Sequence, residues 1–202
     1  MNAEIFLNGQ EADICNFISA GCEMSERNIE KWWSKTALTE AEIFVTKALN
    51  IIEPKVERIS QIKDDTSTSR FLIRLSDQKK PVPLRSMGDG INRILTIILA
   101  MVNCENGYLL IDEFENGLHY SVQEKLWKII FHLAERLNIQ VFVTTHSNDT
   151  IRAFENIVNQ NEIIPLDGLL IKLENIDDTI EATTFEPSEL KVITDNLIEV
   201  RR

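Results

Sequence analysis

The hydrophobic pattern is clearest in the second half of the chain, where two short apolar runs flank an amphipathic segment. Tyr108–Ile111 and residues 141–143 are continuous apolar runs, typical of strands covered on both faces of a sheet. Between them apolar residues recur every three or four positions, which predicts an amphipathic helix; they are Val122, Leu126, Ile129, Ile130, Leu133 and Leu137. This order predicts a right-handed βαβ unit within a parallel sheet.

A longer apolar segment precedes this unit. Residues 91–103 are apolar on almost every side of a predicted helix, and a helix of this kind is buried. Before it, residues 56–62 and 70–75 predict two strands joined by a polar turn at residues 64–69. The pattern therefore predicts a hairpin followed by a central core helix.

The last part of the chain predicts one more helix and a hairpin. Residues 147–158 predict the helix. Residues 169–173 and 180–185 predict the two strands, with a turn around Asp177 and Asp178.

The first 54 residues are predicted to be helical. Residues 11–20 place apolar side chains at helical spacing, namely Ile14, Phe17 and Ile18. Thr39 and Glu42 form a helix start signal followed by an apolar face, and Pro54 ends that helix. The predicted organisation is a helical segment at 1–54 and a second segment at 55–202.

Composition is that of an ordinary globular protein. Of the 202 residues, 44% are hydrophobic and 26% are charged. No apolar run approaches the roughly 18 residues of a membrane span, and the N-terminus lacks a secretion signal pattern. The three cysteines form no CxxC pair, which predicts free thiols in a reducing cytoplasm. We therefore expect a cytoplasmic protein without membrane contact.

The net charge of −11 opposes broad electrostatic binding to DNA or to an anionic membrane. A local basic patch, or a partner that supplies one, stays compatible with this charge. A nucleic-acid partner is therefore possible but not indicated.

Two adjacent acids, Asp112 and Glu113, directly follow the first apolar strand. Ligands of open α/β sheets bind outside the carboxyl ends of the strands. Placing two acids there costs free energy unless a bound group interacts with their charge. Their side chains are expected on opposite sides of the chain, so one could serve Mg²⁺ and the other a water. The alternative is a solvated strand end whose acids cap the next helix.

A histidine, His146, follows the second apolar strand. Since neighbouring parallel strands end at the same edge of the sheet, we expect it near Asp112 and Glu113. An imidazole there could hydrogen-bond a terminal phosphate oxygen or orient a water. The alternative is a histidine packed at a strand end and bonded to backbone.

The central helix opens with the sequence SMGDG at 86–90. A helix start that contains glycine presents free N–H groups, and its dipole favours anions. Ser86 could add a hydroxyl to a phosphate. The alternative is a capping box in which Ser86 and Asp89 satisfy the helix end.

Together, and in this order, these elements resemble the head of an ABC-class ATPase. The signature motif corresponds to SMGDG at 86–90, and Walker B to YLLIDE at 108–113. The D-loop region corresponds to FENGLH at 114–119, and the switch strand with its histidine to VFVTTH at 141–146. More narrowly, residues 30–202 are similar to the RecF/OLD-like AAA ATPases of prokaryotes.

The resemblance implies an α/β fold, a partial P-loop NTPase. Parallel core strands would be flanked by helices, with a helical segment before them and a β-hairpin after them. It also implies ATP and Mg²⁺ as cofactors. By the resemblance, Asp112 would bind Mg²⁺ through water, Glu113 would polarise the attacking water, and His146 would contact the γ-phosphate.

The resemblance also implies a homodimer, and with it further residue roles. Ser86 and Gly88 would touch the γ-phosphate of ATP held by the opposing subunit, and Asp89 belongs to the same nucleotide-contacting motif. Asn116 opens the region expected across the dimer seam, and it is also expected to be a nucleotide-binding residue. Two positions depart from the pattern. Met87 replaces the usual first glycine of the signature motif, and His119 stands where transporters have an aspartate.

A phosphate-binding loop, Walker A, is missing from the sequence. Such a loop needs Gly-x-x-x-x-Gly-Lys-[Ser/Thr], since backbone N–H groups and one lysine hold the phosphates. None of the seven glycines is followed by lysine. The family places this loop near its N-terminus, so we expect a truncated or split ATPase whose incomplete sheet seeks a partner.

Three functions are compatible with these features. The first is an ATPase half that needs a phosphate-loop segment or a second subunit. The second is a non-catalytic interaction or dimerisation module left by truncation. The third, a nuclease subunit of the OLD kind, needs a metal-binding Toprim domain after the ATPase, and the chain ends at Arg202 without room for one.

Overall fold

The computed structural model describes residues 14–21, 26–63, 69–159, 168–186 and 189–190. Contacts divide the chain into two compact units, residues 1–145 and 146–202. The segment boundary proposed after residue 54 stays a prediction. None of the helices in these ranges is both long enough and apolar enough to cross a bilayer.

The first unit contains most of the secondary structure. In chain order its elements are β1 (Cys15–Ile18), α1 (Glu26–Thr36), α2 (Glu40–Ile52), β2 (Val56–Lys63), β3 (Ser69–Leu75), β4 (Val82–Pro83), a 3-10 turn (Leu84–Met87), α3 (Asp89–Val102), β5 (Tyr108–Ile111), α4 (Tyr120–Leu137) and β6 (Gln140–Val143).

The core sheet has the strand order β1-β5-β6, and both pairings are parallel. The predicted βαβ unit is confirmed as β5, α4 and β6. In a parallel sheet the carboxyl ends of all strands lie along one edge. The segments that follow these three strands are therefore brought together.

The helix predicted at residues 11–20 is wrong, because residues 15–18 form the strand β1. The burial alternates along it, with Asn16 and Ile18 buried and Phe17 exposed, which is the period of a strand. The buried Asn16 amide donates to the Ala100 carbonyl at 2.9 Å. A polar residue on the core face hid the alternation from the sequence pattern.

The predicted central helix is confirmed as α3. Residues 93–101 are all buried, and α3 packs against α1, α2, α4 and β1. The predicted helix start at Thr39 is also confirmed, because the Thr39 side chain accepts from the Ala41 N–H at 3.2 Å at the start of α2. Around α3 the first unit builds a single apolar core.

A second sheet of the first unit is antiparallel, with the order β2-β3-β4. The predicted strand pair is confirmed as β2 and β3, and the middle of its turn, residues 64–68, lies outside the described residues. The two-residue strand β4 was not predicted. It pairs with β3 and leads directly into the 3-10 turn before α3.

The second unit contains α5 (Asn148–Asn159), β7 (Leu170–Ile176) and β8 (Thr179–Phe185). The predicted hairpin is confirmed, with β7 and β8 antiparallel. Its two turn residues have positive φ, 49° at Asp177 and 62° at Asp178. Two positive φ angles match the right-handed twist of a two-residue hairpin, and aspartate tolerates them.

The turn between α3 and β5 is packed tightly against β1. The Tyr108 N–H donates to the Ile14 carbonyl at 2.8 Å, and a Cβ on Gly107 would overlap that carbonyl oxygen. Cys104 is buried at the same turn, and burial raises the pKa of its thiol. Cys15 and Cys104 are free cysteines as predicted, and Cys22 lies outside the described residues.

Replacing Gly107 by alanine is expected to destabilise the chain by about 1–3 kcal/mol, since the added methyl group must push β1 away from β5. Urea unfolding measures this. Gly21→Ala is the matched control, because nothing lies within 4 Å of a Cβ at Gly21. Equal stability of the two variants would contradict the close approach of β1.

Candidate functional site

The acidic pair lies where the sequence analysis expected it, at the carboxyl end of β5. Asp112 and Glu113 are half-buried there. The Asp112 N–H donates to the Ile18 carbonyl at 2.9 Å, which ties the pair to the end of β1. The Thr144 N–H donates to the Ile111 carbonyl at 2.9 Å, which ties it to the end of β6. Three strand ends therefore converge on two carboxylates.

Thr144 bonds both acidic residues. Its hydroxyl donates to Asp112 Oδ1 at 2.7 Å and accepts from the Glu113 N–H at 2.9 Å. One hydroxyl thus orients the carboxylate of Asp112 and the backbone of Glu113. The neighbouring Thr145 hydroxyl donates to Glu115 at 2.6 Å. The end of β6 is therefore joined by side chains to the turn after β5.

Glu113 has a left-handed backbone conformation, with φ of 47°. For a residue other than glycine this costs about 1–3 kcal/mol and persists only where the surroundings enforce it. The Phe114 N–H donates to the Thr144 carbonyl at 3.0 Å. The Phe114 ring is fully buried and stacks on Trp127 at a centroid distance of 4.4 Å. The turn that carries Glu113 is therefore anchored in the core.

A buried arginine, Arg93, reaches the same turn from α3. Its Nη2 donates to the carbonyls of Asp112 at 2.7 Å and Glu113 at 3.2 Å. Its Nη1 donates to the Ser19 carbonyl after β1 at 2.7 Å. The acidic pair is thus held by β6 through Thr144 and by α3 through Arg93.

The start of α3 is not a capping box, so that alternative is wrong. The Ser86 hydroxyl donates to the Pro83 carbonyl at 2.6 Å. The N-cap is Gly88, with φ of 89°, and no side-chain cap bond forms there among the described residues. Asp89 is the exposed first residue of the helix. Among the described residues, no side chain therefore caps the N-terminus of α3.

The start of α3 packs closely on the turn after the acidic pair. A Cβ on Gly90 would lie 3.0 Å from the Gly117 carbonyl oxygen, and one on Gly117 would lie 3.6 Å from the Asp89 Cβ. Asn116, in the same turn, donates its side-chain amide to the Ala20 carbonyl. Asn116 thus has a partner within the chain, and its predicted nucleotide role stays a prediction.

His146 is the first residue of the second unit, immediately after Thr145 in the chain. Its predicted approach to Asp112 and Glu113 stays a prediction. His119 lies in the first unit at the start of α4, where its Nδ1 accepts from the Ser121 N–H at 3.3 Å.

Comparison with known protein families identifies the class of this protein. A sequence model described as the AAA ATPase domain matches residues 14–151. The chain belongs to this family. It is a member of the AAA/ABC class of ATPases with an α/β, P-loop NTPase-like fold.

Two curated relatives match parts of this ATPase domain. An ATP/GTP phosphatase of Helicobacter pylori is 30% identical over 121 residues, which are 58% of this chain and 32% of that protein. An uncharacterised protein of Methanocaldococcus jannaschii is 40% identical over 65 residues, which are 32% of this chain and 57% of that protein. The chain thus spans about a third of one relative and somewhat more than half of the other.

Solved structures similar to this ATPase domain include SMC ATPases and SMC head domains. One, from a study of ATP-driven dimerization and DNA-stimulated activation of SMC ATPases, has a TM-score of 0.58 and 9% identity, and covers 84% of this chain and 96% of that one. The SMC head domain from Thermotoga maritima has a TM-score of 0.52 and 12% identity, and covers 84% of this chain and 53% of that one. At these identities the likeness shows the fold.

The donor set at the acidic pair fits Mg²⁺. Within the described ranges no three His, Cys, Asp or Glu residues form a group that could hold a metal ion. Mg²⁺ commonly takes one or two carboxylates, keeps several waters and takes its other oxygens from phosphates. Asp112, whose carboxylate accepts from the Thr144 hydroxyl, has the chemistry of such a ligand, and its metal role stays a prediction.

Two residues of the site, Thr144 and Arg93, were not singled out by sequence. Each had a signal. Thr144 and Thr145 form a polar pair directly after an apolar strand, and Arg93 is a basic residue within an otherwise apolar helix. A buried arginine implies acceptor groups that meet it.

Replacing Thr144 by valine is expected to free the Glu113 amide, since the variant loses both hydroxyl bonds. Amide hydrogen exchange at Glu113 should accelerate, and stability should fall by about 1 kcal/mol. Thr145→Val is the matched control, because that hydroxyl bonds Glu115 instead. Unchanged exchange at Glu113 in the Thr144 variant would contradict the described geometry.

Proposed function

We propose that this chain is the Walker B and signature half of an ATP-hydrolysing enzyme of the RecF/OLD-like kind. The observation that carries the proposal is the Asp112-Glu113 turn. Two half-buried acids stand at the edge of a parallel sheet, and Glu113 has a strained backbone conformation held by Thr144 and Arg93. Strain of this kind concentrates at functional sites.

The proposed reaction transfers the γ-phosphoryl group of ATP to water. Mg²⁺ would neutralise charge on the phosphates when bound. Asp112 would hold the ion through water, and Glu113 would orient and polarise the attacking water. His146 would donate a hydrogen bond to a γ-phosphate oxygen. Positioning and charge compensation, rather than covalent chemistry, supply most catalysis in phosphoryl transfer.

A second copy of the chain would complete the nucleotide site. Ser86 lies in the 3-10 turn before α3, and Gly88 and Asp89 form the start of the helix, whose N–H groups and dipole favour an anion. In the proposed homodimer this helix start would meet the γ-phosphate of ATP on the opposing subunit. Asn116 lies in the turn packed against that helix start, and would face the dimer seam.

A phosphate loop must come from a segment beyond this sequence, on the same polypeptide or another. We propose that this segment docks on the exposed face of the core sheet. Phe17, Leu110 and Phe142 stand in register on β1, β5 and β6. They are 43%, 36% and 51% exposed. Aligned apolar side chains on three neighbouring strands are typical of a covered sheet face.

The position of this face favours the phosphate-loop segment as its occupant. The face belongs to the same sheet whose carboxyl edge carries Asp112 and Glu113. A phosphate loop that docks on this face would hold the phosphates of ATP next to those acids. The Helicobacter pylori relative contains more than this chain spans, because the match covers 32% of it.

The RecF and OLD resemblance suggests DNA repair or phage defence as the process served. A non-catalytic interaction module is the alternative function. It would keep the fold and the apolar face without turnover. The two proposals differ in the effect that they expect from replacing Glu113.

The isolated chain is expected to bind Mg-ATP weakly or not at all, and addition of the upstream half with its phosphate loop should restore hydrolysis. In that assembly, Glu113→Gln should lower turnover by about 10²–10⁴-fold while ATP binding persists, since the amide cannot take a proton from water. Phosphate release and calorimetry measure the two quantities.

Glu105→Gln is the control, because Glu105 is exposed in the turn before β5. Unchanged turnover in Glu113→Gln would exclude Glu113 as the base. An assembly that binds ATP without turnover in any variant would favour the interaction module.

Phe142→Ser is expected to weaken binding of the phosphate-loop segment by about 10–100-fold, the effect of losing one buried aromatic side chain. The stability of the isolated chain should change little, because Phe142 is already exposed. Calorimetric titration with the upstream half measures the affinity.

Ile43→Ser, on α2, is the matched control, since Ile43 is 54% exposed and lies outside the sheet. Unchanged affinity in Phe142→Ser would overturn the docking face. Self-association of the wild-type chain that Phe142→Ser abolishes would instead assign the face to a second copy.

A further inference from the structure

The guanidinium of one buried arginine links the helix α3 to the acid-bearing turn. Arg93 is 7% exposed, on the helix α3 that is otherwise apolar around it. Its guanidinium donates to carbonyls at the ends of two parallel strands, Ser19 after β1 and Asp112 and Glu113 after β5. A buried arginine is costly unless hydrogen bonds offset the cost, and here three bonds from Nη1 and Nη2 contribute to this.

The bonds fall on the strained part of the turn. Glu113 has positive φ, and its carbonyl and that of Asp112 are both held by Nη2. On the other side Thr144 holds the Glu113 N–H. The guanidinium therefore helps to hold the acid-bearing backbone in a conformation it would otherwise leave.

Arg93 also joins this turn to the start of α3. It lies one helical turn after Asp89, the first residue of the helix. The same helix start packs on Gly117, at the far end of the turn. A displacement of the helix start would therefore move the guanidinium and, with it, the carbonyls of Asp112 and Glu113.

We propose that Arg93 is a positioning residue of the ATPase, which sets the Asp112-Glu113 turn and couples it to the start of α3. The inference rests on the proposed function, in which Glu113 acts on water and the helix start meets the opposing nucleotide. Arg93 touches neither substrate nor metal in this role. Its planar fork serves several carbonyls at once, which a lysine ammonium cannot reproduce.

The test uses Arg93→Lys and Arg93→Met, with Arg74→Lys as the matched control. Arg74 is an exposed arginine of β3 that pairs with Glu57 at 3.3 Å. Arg93→Lys keeps a positive charge, so it separates loss of geometry from loss of charge. If Arg93→Met fails to fold, Arg93→Lys carries the test.

The first readout is amide exchange in the isolated chain. The Glu113 amide should exchange about tenfold faster or more in Arg93→Lys, the effect of losing a hydrogen bond to a charged group. Amides in the middle of α3 should keep their protection. Unchanged exchange at Glu113 would overturn the positioning role.

The second readout is kinetics after assembly with the phosphate-loop half. In Arg93→Lys the kcat should fall about tenfold or more while the KM for ATP stays unchanged, and this fall should exceed the loss of folded protein that melting curves measure. A kcat that falls only in proportion to the folded fraction would overturn the proposal. An inactive wild-type assembly would overturn the proposed function, and the exchange experiment would still decide the role of Arg93.

Discussion

The burial of α3 is the constraint on which the first unit depends. Residues 93–101 are enclosed by three helices and by β1, so every neighbouring element is placed relative to this one helix. The helix begins at a glycine cap beside the turn after β5, and one turn later its arginine holds the backbone of Asp112 and Glu113. The positions of the two acids are therefore set by the packing of the core. Burial of apolar side chains fixes α3, and α3 in turn fixes the edge of the sheet that carries the acids.

The strained turn at Glu113 illustrates how a stable core supports an unfavourable local conformation. No single contact holds it. Thr144 holds the amide, Arg93 holds the carbonyl, and Phe114 is buried against Trp127 directly after it. Thr144 directly follows β6, Arg93 lies on α3 and Trp127 lies on α4, so the conformation exists only when all three elements are in place. This arrangement pre-organises the acids before any ligand arrives.

Sequence predicted the parts of this fold that have strong periodicity. The βαβ unit, α3, the β2–β3 pair and the closing hairpin were all confirmed, since long apolar patterns are dominated by local burial. The strand β1 was missed because Asn16 faces the core, where its amide bonds the carbonyl of Ala100. The acids could be found because they follow an apolar strand. The roles of Thr144 and Arg93 could not be predicted from the sequence, since they depend on which strand ends are neighbours and on where α3 crosses them.

The exposed apolar face on β1, β5 and β6 has a consequence for the amount of this protein in a cell. If the phosphate loop is carried by another chain, an unassembled copy would display Phe17, Leu110 and Phe142 to chaperones and proteases, which act on such surfaces. Copies in excess of the partner would then be removed faster than assembled ones. Degradation of unassembled copies would then equalise the amounts of the two halves, even if the two are synthesised at different rates.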